Sequence, residues 1–523
     1  MTPEKLPIGI QSFEKIRTGR YAYVDKTQFI SALVRDGSYY FLSRPRRFGK
    51  SLFVDTLDCA FSGRKKLFHG LYLLNPEAGW DFEKIYPVLR VDFAGGTIRS
   101  ATDLTDRLDR LLTRWEEQYG TKKTIGSPGE RLLYIIPQIA TITGEQVVIL
   151  IDEYDKPILD NLEKPELATA MREMLKDFYG AIKPLDVHLR FVFLTGVSKF
   201  AKTGIFSGLN NLKDITLDRR YSSLCGYTQR DLTTVFGNWI VNCNIQKIAE
   251  WYNGYSWTGE SVYNPFDILL FLDEKEFKSY WFETGTPSFL IKLLTEKPRS
   301  LPDLDTLMAG EELLGSFQIE DLKPETLLFQ TGYLTIKGEV RIGEKLIYSV
   351  GFPNLEVKSA FSELMLGILT GTAESSMNQM NLDAVLNAGD NDCLREVFHS
   401  FFASIPHDWY RKNQISGFEG YYASIVYAYF ASLGYIVIPE DTTNKGRIDL
   451  TVITTSGIWI FEFKVQDSYQ STDKSPLTQI QDKRYAEKYQ ADGRPVHEIG
   501  IVFDSKTRNI VTWEVGGVTD IRR

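Results

Sequence analysis

The stretch FLSRPRRFGKSLFVD, Phe41–Asp55, decides how the first half of the chain is read. The apolar run Tyr39–Leu42 reads as a buried strand. It breaks into a loop at Ser43–Phe48 and re-enters an amphipathic helix at Gly49-Lys50-Ser51. A strand, a loop and a helix in that order are what a phosphate-binding loop requires. N–H groups at the helix start, helped by the helix dipole, favour an anion there. The loop residues Arg46, Arg47, Phe48 and Gly49 form the cradle, Lys50 reaches toward the outer phosphates, and the Ser51 hydroxyl suits a Mg²⁺ ion. Arg44 stands where the general motif opens with glycine, so the loop by itself also reads as a basic turn capping a helix.

The second half of such a site needs an acid at the end of a buried strand. Val147–Asp155, VVILIDEYD, supplies it: five consecutive aliphatic residues mark a strand buried on both faces, ending in Asp152 and Glu153. Asp152 is expected beside Mg²⁺, and Glu153 is placed to polarise an attacking water. A third strand, Arg190–Leu194, ends in Thr195-Gly196-Val197-Ser198; Thr195 is the candidate γ-phosphate sensor and Ser198 the reserve. Other segments read as the strand Val88–Phe93 and the helices Leu104–Tyr119 and Leu132–Thr143, with Asp25 capping a helix ahead of the loop. Tyr23 reads as a packed aromatic rather than a base-stacking one. The β–α alternation predicts a mostly parallel, doubly wound sheet with its site at the strand C-termini.

RPRRFGKS, YVDKT, IDEYDKP and LTGVSKFAKTGIFSGLNNLKDIT together resemble the bacterial AAA-ATPase-like family. The resemblance implies ATP as ligand and an extra strand between the two motif strands. It also makes Arg44 part of the family's own form of the loop. A homo-oligomer with an arginine finger fits such ATPases, and Arg46, Arg47 and Arg190 are candidates by charge alone.

At 523 residues the chain is too long for one core. Boundaries are expected at 1–217 for the ATPase, 218–404 for a mainly helical lid or linker, and 405–523 for a third domain. In the middle, Ile268–Leu272, Phe289–Leu294 and Ala384–Phe402 have helical spacing, and Leu327–Lys337 with Lys345–Val350 reads as a strand pair. A net charge of −8 excludes a uniformly basic nucleic-acid binder, so any such contact is a local patch. The four cysteines and five histidines form no zinc-type cluster. No apolar run reaches the ~18 residues of a membrane span, and the start carries no signal-peptide pattern, so a cytoplasmic protein is expected.

The last domain holds a second chemical pattern. Gly417–Leu433 reads as a helix, Tyr435–Pro439 as a short strand, and Ile448–Thr454 with Ile458–Val465 as a hairpin. Side chains alternate along a strand, so Ile458, Ile460, Glu462 and Lys464 share one face, with Asp449 on the neighbouring strand. Two carboxylates held close call for a divalent cation, and oxygen ligands point to Mg²⁺ or Mn²⁺. The metal activates a water, and Lys464 holds it or meets the developing charge; a structural Lys464–Glu462 ion pair is the plain alternative. The pattern D-x₁₂-E-x-K after Gly-Arg-Ile is similar to the PD-(D/E)XK nuclease superfamily. That resemblance implies Asp449, Glu462 and Lys464 as catalytic core, Glu419 as a further metal-binding acid, and Gln479 and Tyr485, on the helix SPLTQIQDKRYAEKY, as nucleic-acid contacts. Lys483, Arg484 and Lys488 on that helix are candidates for phosphates or for a solvated face.

The fold expectation is thus α/β: a P-loop ATPase sheet, a helical middle and a restriction-endonuclease-like nuclease domain. The functional expectation is an ATP-hydrolysing protein that cleaves DNA with Mg²⁺. The rivals are a nucleotide-dependent switch or DNA-binding module with a silent nuclease fold, and an active nuclease over an ATPase that does not turn over.

Overall fold

Tyr39–Ser43 forms a strand, β1, buried along its whole length. In the computed structural model, which describes residues 5–200, 205–206, 208–285, 290, 293–294, 300–311, 315, 323–370, 376–405, 419–466 and 474–517, β1 belongs to a five-stranded sheet. The other strands are β2 (Val88–Asp92), β3 (Val147–Asp152), β4 (Leu189–Gly196) and the two-residue β5 (Lys213–Asp214), in the order β2-β3-β4-β1-β5. All neighbours run parallel. β4 therefore lies between the loop strand β1 and the acid strand β3, the extra strand that the family resemblance implied.

Parallel strands need crossovers, and helices supply them. Lys50–Phe61 follows β1, Ala101–Tyr119 and Pro128–Thr143 join β2 to β3, and Pro165–Gly180 joins β3 to β4. Leu104, Leu108, Leu112 and Trp115 put one face of the helix Ala101–Tyr119 into the core against Leu89, Val91 and Ile149. Each such side chain contributes about 1.5–3 kcal/mol by leaving water. The helix Pro128–Thr143 starts with a capping box, in which Ser127 Oγ accepts from Glu130 N–H (3.3 Å) and Glu130 accepts from Ser127 N–H (2.8 Å). Asp25 accepts from Thr27 N–H (2.9 Å) at the start of the helix Thr27–Asp36, and its second oxygen accepts from Tyr72 N–H (2.7 Å).

The chain divides into two compact units, Met1–Leu293 with Met308–Ser349, and Leu294–Leu307 with Val350–Arg523. The stretch 218–404 is therefore shared between them rather than standing as one unit. Its first part is helical, with Gln229–Val235, Ile245–Tyr252 and Pro265–Glu274 packed around Leu232, Phe236, Ile248 and Tyr252. Leu327–Lys337 departs from the strand expectation. Pro324–Thr331 is a helix, with Pro324 in its first turn and Gly332 in the left-handed region (φ 97°) at its end. The chain then enters β7 (Thr335–Ile342), which pairs with β8 (Lys345–Gly351) in a three-stranded sheet completed by β6 (Leu307–Gly310). Gly332 closes the helix by accepting a backbone geometry that a side chain resists. Ala384–Phe402 spans two helices, Ser376–Ala388 and Asn391–Ser404, separated by Gly389 (φ 69°) and the capping Asp390. Phe289–Leu294 lies partly outside the described residues.

In the second unit the helix Glu419–Ser432 precedes a mixed sheet of order β13-β12-β11-β10-β9. Its strands are β9 (Ile436–Thr443), β10 (Gly446–Ile453), β11 (Ile458–Val465), β12 (Val496–Asp504) and β13 (Asn509–Val515). β10 and β11 form the expected hairpin, and β11 runs parallel to β12. No helix among the described residues is long and apolar enough to cross a membrane.

One buried histidine gives this sheet a pH-dependent stability. His497 on β12 stacks on Trp459 (centroids 3.9 Å apart), its Nδ1 has no hydrogen-bond partner, and burial pulls its pKa below the usual 6.5. A depressed folded pKa means that the unfolded chain binds the proton more readily. Stability is therefore complete above pH 6.5 and falls as pH drops below it toward the folded value. The neighbouring Glu498, whose carboxyl is raised by burial, acts with the opposite sign. Thermal melts between about pH 7.5 and about pH 5.5 should show a shallower loss for His497→Gln than for the parent chain.

Candidate active sites

β1 ends at Ser43, and Arg44 N–H continues the pairing to Gly196 O at 3.1 Å. The loop then turns through Arg47 (φ 70°) and Gly49 (φ 90°), both in the left-handed region, before the helix begins at Lys50. Arg44 is buried completely. Its guanidinium donates to Ser43 O (2.8 Å), Thr216 O (2.9 Å) and Tyr221 O (3.3 Å) and lies 4.1 Å from the Trp257 ring centroid. Burial brings its pKa down to about 10. The residue that breaks the general motif is thus a strut between the loop and the segment after β5. Arg44→Gly, which restores the general motif, should destabilise the protein by roughly 3 kcal/mol, because buried carbonyls lose their donors and a cavity opens. Urea unfolding followed by tryptophan fluorescence measures it.

Lys50 is buried, and its ammonium donates to Arg44 O (2.9 Å) and Pro45 O (2.8 Å). Burial lowers its pKa, opposed by the charges of Asp152 and Glu153. Asp152 closes β3. One oxygen accepts from Glu153 N–H (3.1 Å), while Oδ2 is buried with no hydrogen-bond partner. Burial raises its pKa, and the Ser51 hydroxyl and Lys50 pull it back. Glu153 holds φ at 52°, a strained value for a non-glycine residue, and is half-buried with a raised pKa from burial. Thr195 sits opposite Leu42 in the β1–β4 register, and its buried hydroxyl has no partner. Ser198, by contrast, spends its hydroxyl on Asp155 (2.5 Å). Buried oxygens without partners beside a lysine are what a Mg²⁺–phosphate group fits.

A cavity of about 520 Å³ is lined in part by Arg46, Arg47, Phe48, Gly49, Lys50, Ser51 and Glu153; Asp152, Thr195 and Ser198 are fully buried and are not in its lining. The Phe48 ring packs on Tyr255 and Trp257. Arg47 lies over Phe266 (4.4 Å). Arg190 is at the opposite end of β4 from the site, whereas Arg46 and Arg47 line the cavity. Sequence reasoning gave no role to Ile10, Cys225, Tyr227 or Leu269, which complete the lining from distant segments. Tyr23 also lines it while packing edge-on against Phe13 (5.2 Å). Asp155 was overlooked as well. It is buried and accepts from Val197 N–H (3.1 Å), Ser198 N–H (2.6 Å) and the Ser198 hydroxyl, tying the acid turn to the end of β4. A side chain at Gly196 would meet it at 2.4 Å. The signal was the third acid in DEYD.

In the second unit, Leu450 pairs with Phe461, which sets Asp449 and Glu462 across from each other one step further along the hairpin. Phe463 N–H donates to Asp449 Oδ2 (2.8 Å), so the Asp449 carboxylate reaches over β11. Glu462 is 2 % exposed, and the Gln479 amide donates to its Oε1. Lys464, half-buried, follows two residues on. Two carboxylates facing each other across a hairpin are donors of the kind a hard cation takes. The side chain of Glu419, the expected third acid, lies outside the described residues. Among the described residues no group of three or more His, Cys, Asp or Glu could hold a metal.

Gln479 and Tyr485, the expected nucleic-acid contacts, each make a hydrogen bond within the domain, Gln479 to Glu462 and Tyr485 to Arg447. Tyr485 is 2 % exposed, its hydroxyl donates to Arg447 O (2.8 Å), and its pKa is raised by burial and by Glu462 and Asp449. The expected single helix breaks at Arg484 (φ 49°) into Pro476–Lys483 and the tighter turn Tyr485–Tyr489, which is what turns Tyr485 inward. Lys488 is paired with buried Asp441, which Thr451 and Tyr489 also bond.

The sequence model of the family described as Predicted AAA-ATPase matches residues 7–206. That of the PD-(D/E)XK nuclease superfamily matches residues 417–513. The chain is also 49 % identical, over 517 residues covering 98 % of it and 99 % of the relative, to a protein of Azotobacter chroococcum mcd 1 described as "Uncharacterized protein in vnfD 5'region".

Proposed function

We propose, from the premise that this chain belongs to one family with that Azotobacter protein and carries an AAA-ATPase-like domain and a PD-(D/E)XK nuclease superfamily domain, that it hydrolyses ATP and cleaves DNA phosphodiesters with a divalent metal. The observation that carries the reading is the meeting of Lys50, Ser51, Asp152 and Glu153 at the C-terminal ends of β1 and β3 beside the cavity. N–H groups of Arg46–Gly49 would bind the phosphates, Lys50 would exchange two loop carbonyls for phosphate oxygens, and Ser51 and Asp152 would hold the metal. Glu153, with its raised pKa, is suited to orient water and take its proton. Thr195 would sense the outer phosphate. At the second site Asp449 and Glu462 would hold the metal and Lys464 would position the nucleophile. Mg²⁺, when bound, neutralises phosphoryl oxygens at both sites and lowers the pKa of water at the second.

The rival reading, a switch with a silent nuclease fold, draws support from the Gln479 amide occupying one oxygen of Glu462. The test is the purified full chain with linear and circular DNA, Mg²⁺ or Mn²⁺, and with or without ATP. ATP hydrolysis with metal-dependent nicking supports the proposal. ATP hydrolysis with intact DNA under every condition favours the switch. No hydrolysis of ATP overturns the ATPase half.

A further inference from the structure

Arg90, Arg107, Arg110 and Arg114 line one cleft of about 670 Å³ in the first unit, remote in sequence from both sites above. The last three belong to the helix Ala101–Tyr119, and their spacing of three and four residues aligns them on one face. Like charges at that spacing destabilise a helix. Arg90 is neutralised by Asp55 (2.6 Å), and Arg107 donates to Asp92 O (2.7 Å) and to Gly95 O. Arg110 and Arg114 are exposed, and among the described residues neither has an ion pair or hydrogen bond. Acids stand nearby, and none of them is paired with either arginine among the described residues. Asp109 is held by Arg131 (2.9 Å) and the Asp92 carboxylate, itself in the cleft, accepts from Ala94 N–H (2.7 Å), while Asp106 and Glu117 share an adjacent hollow with Arg110 and Arg114 but, among the described residues, make no ion pair with them.

We propose that this cleft grips the phosphodiester backbone of a nucleic acid, an inference that rests on the DNA-cleaving reading and adds a second contact to it. Guanidinium groups match phosphate oxygens in paired hydrogen bonds. From Arg107 to Arg114 the helix rises ~10 Å, the run of about three phosphates along one strand. The cleft also adjoins the ATP site through the sheet. Its floor is the end of β2, where Asp92 pairs with Asp152 and Phe93 N–H donates to Asp152 O (3.3 Å). A strand held there presses on the segment that carries the acid of the phosphate site, so nucleic acid should change ATP turnover.

The experiment uses the full chain and a fluorescein-labelled DNA oligonucleotide, with anisotropy read without divalent metal so that nothing is cut. Arg110→Glu/Arg114→Glu should weaken binding by at least about tenfold and reduce the slope of log affinity against log salt by about two. Arg110→Lys/Arg114→Lys should keep most of the binding. ATP turnover without DNA should be unchanged in both variants, which also reports that the unit is folded. Equal affinity and salt slope in parent and charge-reversed chain would overturn the cleft while leaving the ATPase and nuclease readings standing. Arginine-dependent binding without cleavage in Mg²⁺ or Mn²⁺ would keep the cleft and remove the nuclease. Polyglutamate displacing DNA at equal charge would mark the cleft as a site for acidic protein and overturn the proposal.

Discussion

Lys50→Ala should lower ATP turnover about 10³-fold, the scale of losing one preorganised charge from a phosphoryl-transfer site. The ammonium is buried, within the field of Asp152 and Glu153, and bonded to Arg44 O and Pro45 O. In this arrangement it holds the loop closed on itself, and phosphate oxygens would take the place of those two carbonyls. Alanine therefore does two separable things. It removes the charge that nucleotide would meet, and it takes donors from two loop carbonyls at roughly 1–2 kcal/mol. Hydrolysis assays and a thermal melt on the same preparation distinguish them, since a folded variant with a small melting shift and lost turnover isolates the charge. DNA cleavage measured without ATP should not change. Turnover equal to that of the parent would mean that phosphates do not bind at this loop.

Glu462→Gln should abolish metal-dependent DNA cleavage, by about 10³-fold or more, while leaving the protein as stable as before or more so. Glutamine keeps the oxygen that accepts from Gln479 and fits the same volume, but carries no charge. A carboxylate only 2 % exposed is expensive to desolvate, so a purely structural residue would be better as the amide. Opposite movements of stability and activity therefore identify a charge held there for a metal. Asp449→Asn is the companion variant. Its amide oxygen can still accept from Phe463 N–H, so the link to β11 survives while the second negative charge is lost. Cleavage by either variant at the parent's rate would sink the metal site. Loss of stability in both would point to the ion-pair reading with Lys464.

The elements that were legible are those whose residues speak for themselves. VVILID is β3 because five aliphatic residues in a row suit a strand covered on both sides, and the RPRRFGKS loop is not needed to see it. The hairpin β10–β11 followed from alternation and the Thr455-Ser456-Gly457 turn, and its one-face rule brought Asp449 to Glu462. Where glycine or a polar residue could do two jobs the reading faltered. Gly332 ends a helix, not a strand, and Gly389 with Asp390 splits one apparent helix into two. Arg484 in the left-handed region is invisible in a helical pattern, yet it decides that Tyr485 braces a strand.

The order of residues alone determined the two motifs: a lysine and serine at a helix start with an acid pair after a buried strand, and D-x₁₂-E-x-K on a hairpin. Those spacings are local, and local geometry turns them directly into side-chain directions. Tertiary structure alone decided what surrounds them. It buried Arg44 as a strut, assigned Asp155 to the end of β4, drew Ile10, Tyr227 and Leu269 to one cavity, and left Arg110 and Arg114 without partners beside β2. These depend on segments far apart in the chain meeting in space, and the burial and pairing that result are properties of packing that no single stretch encodes.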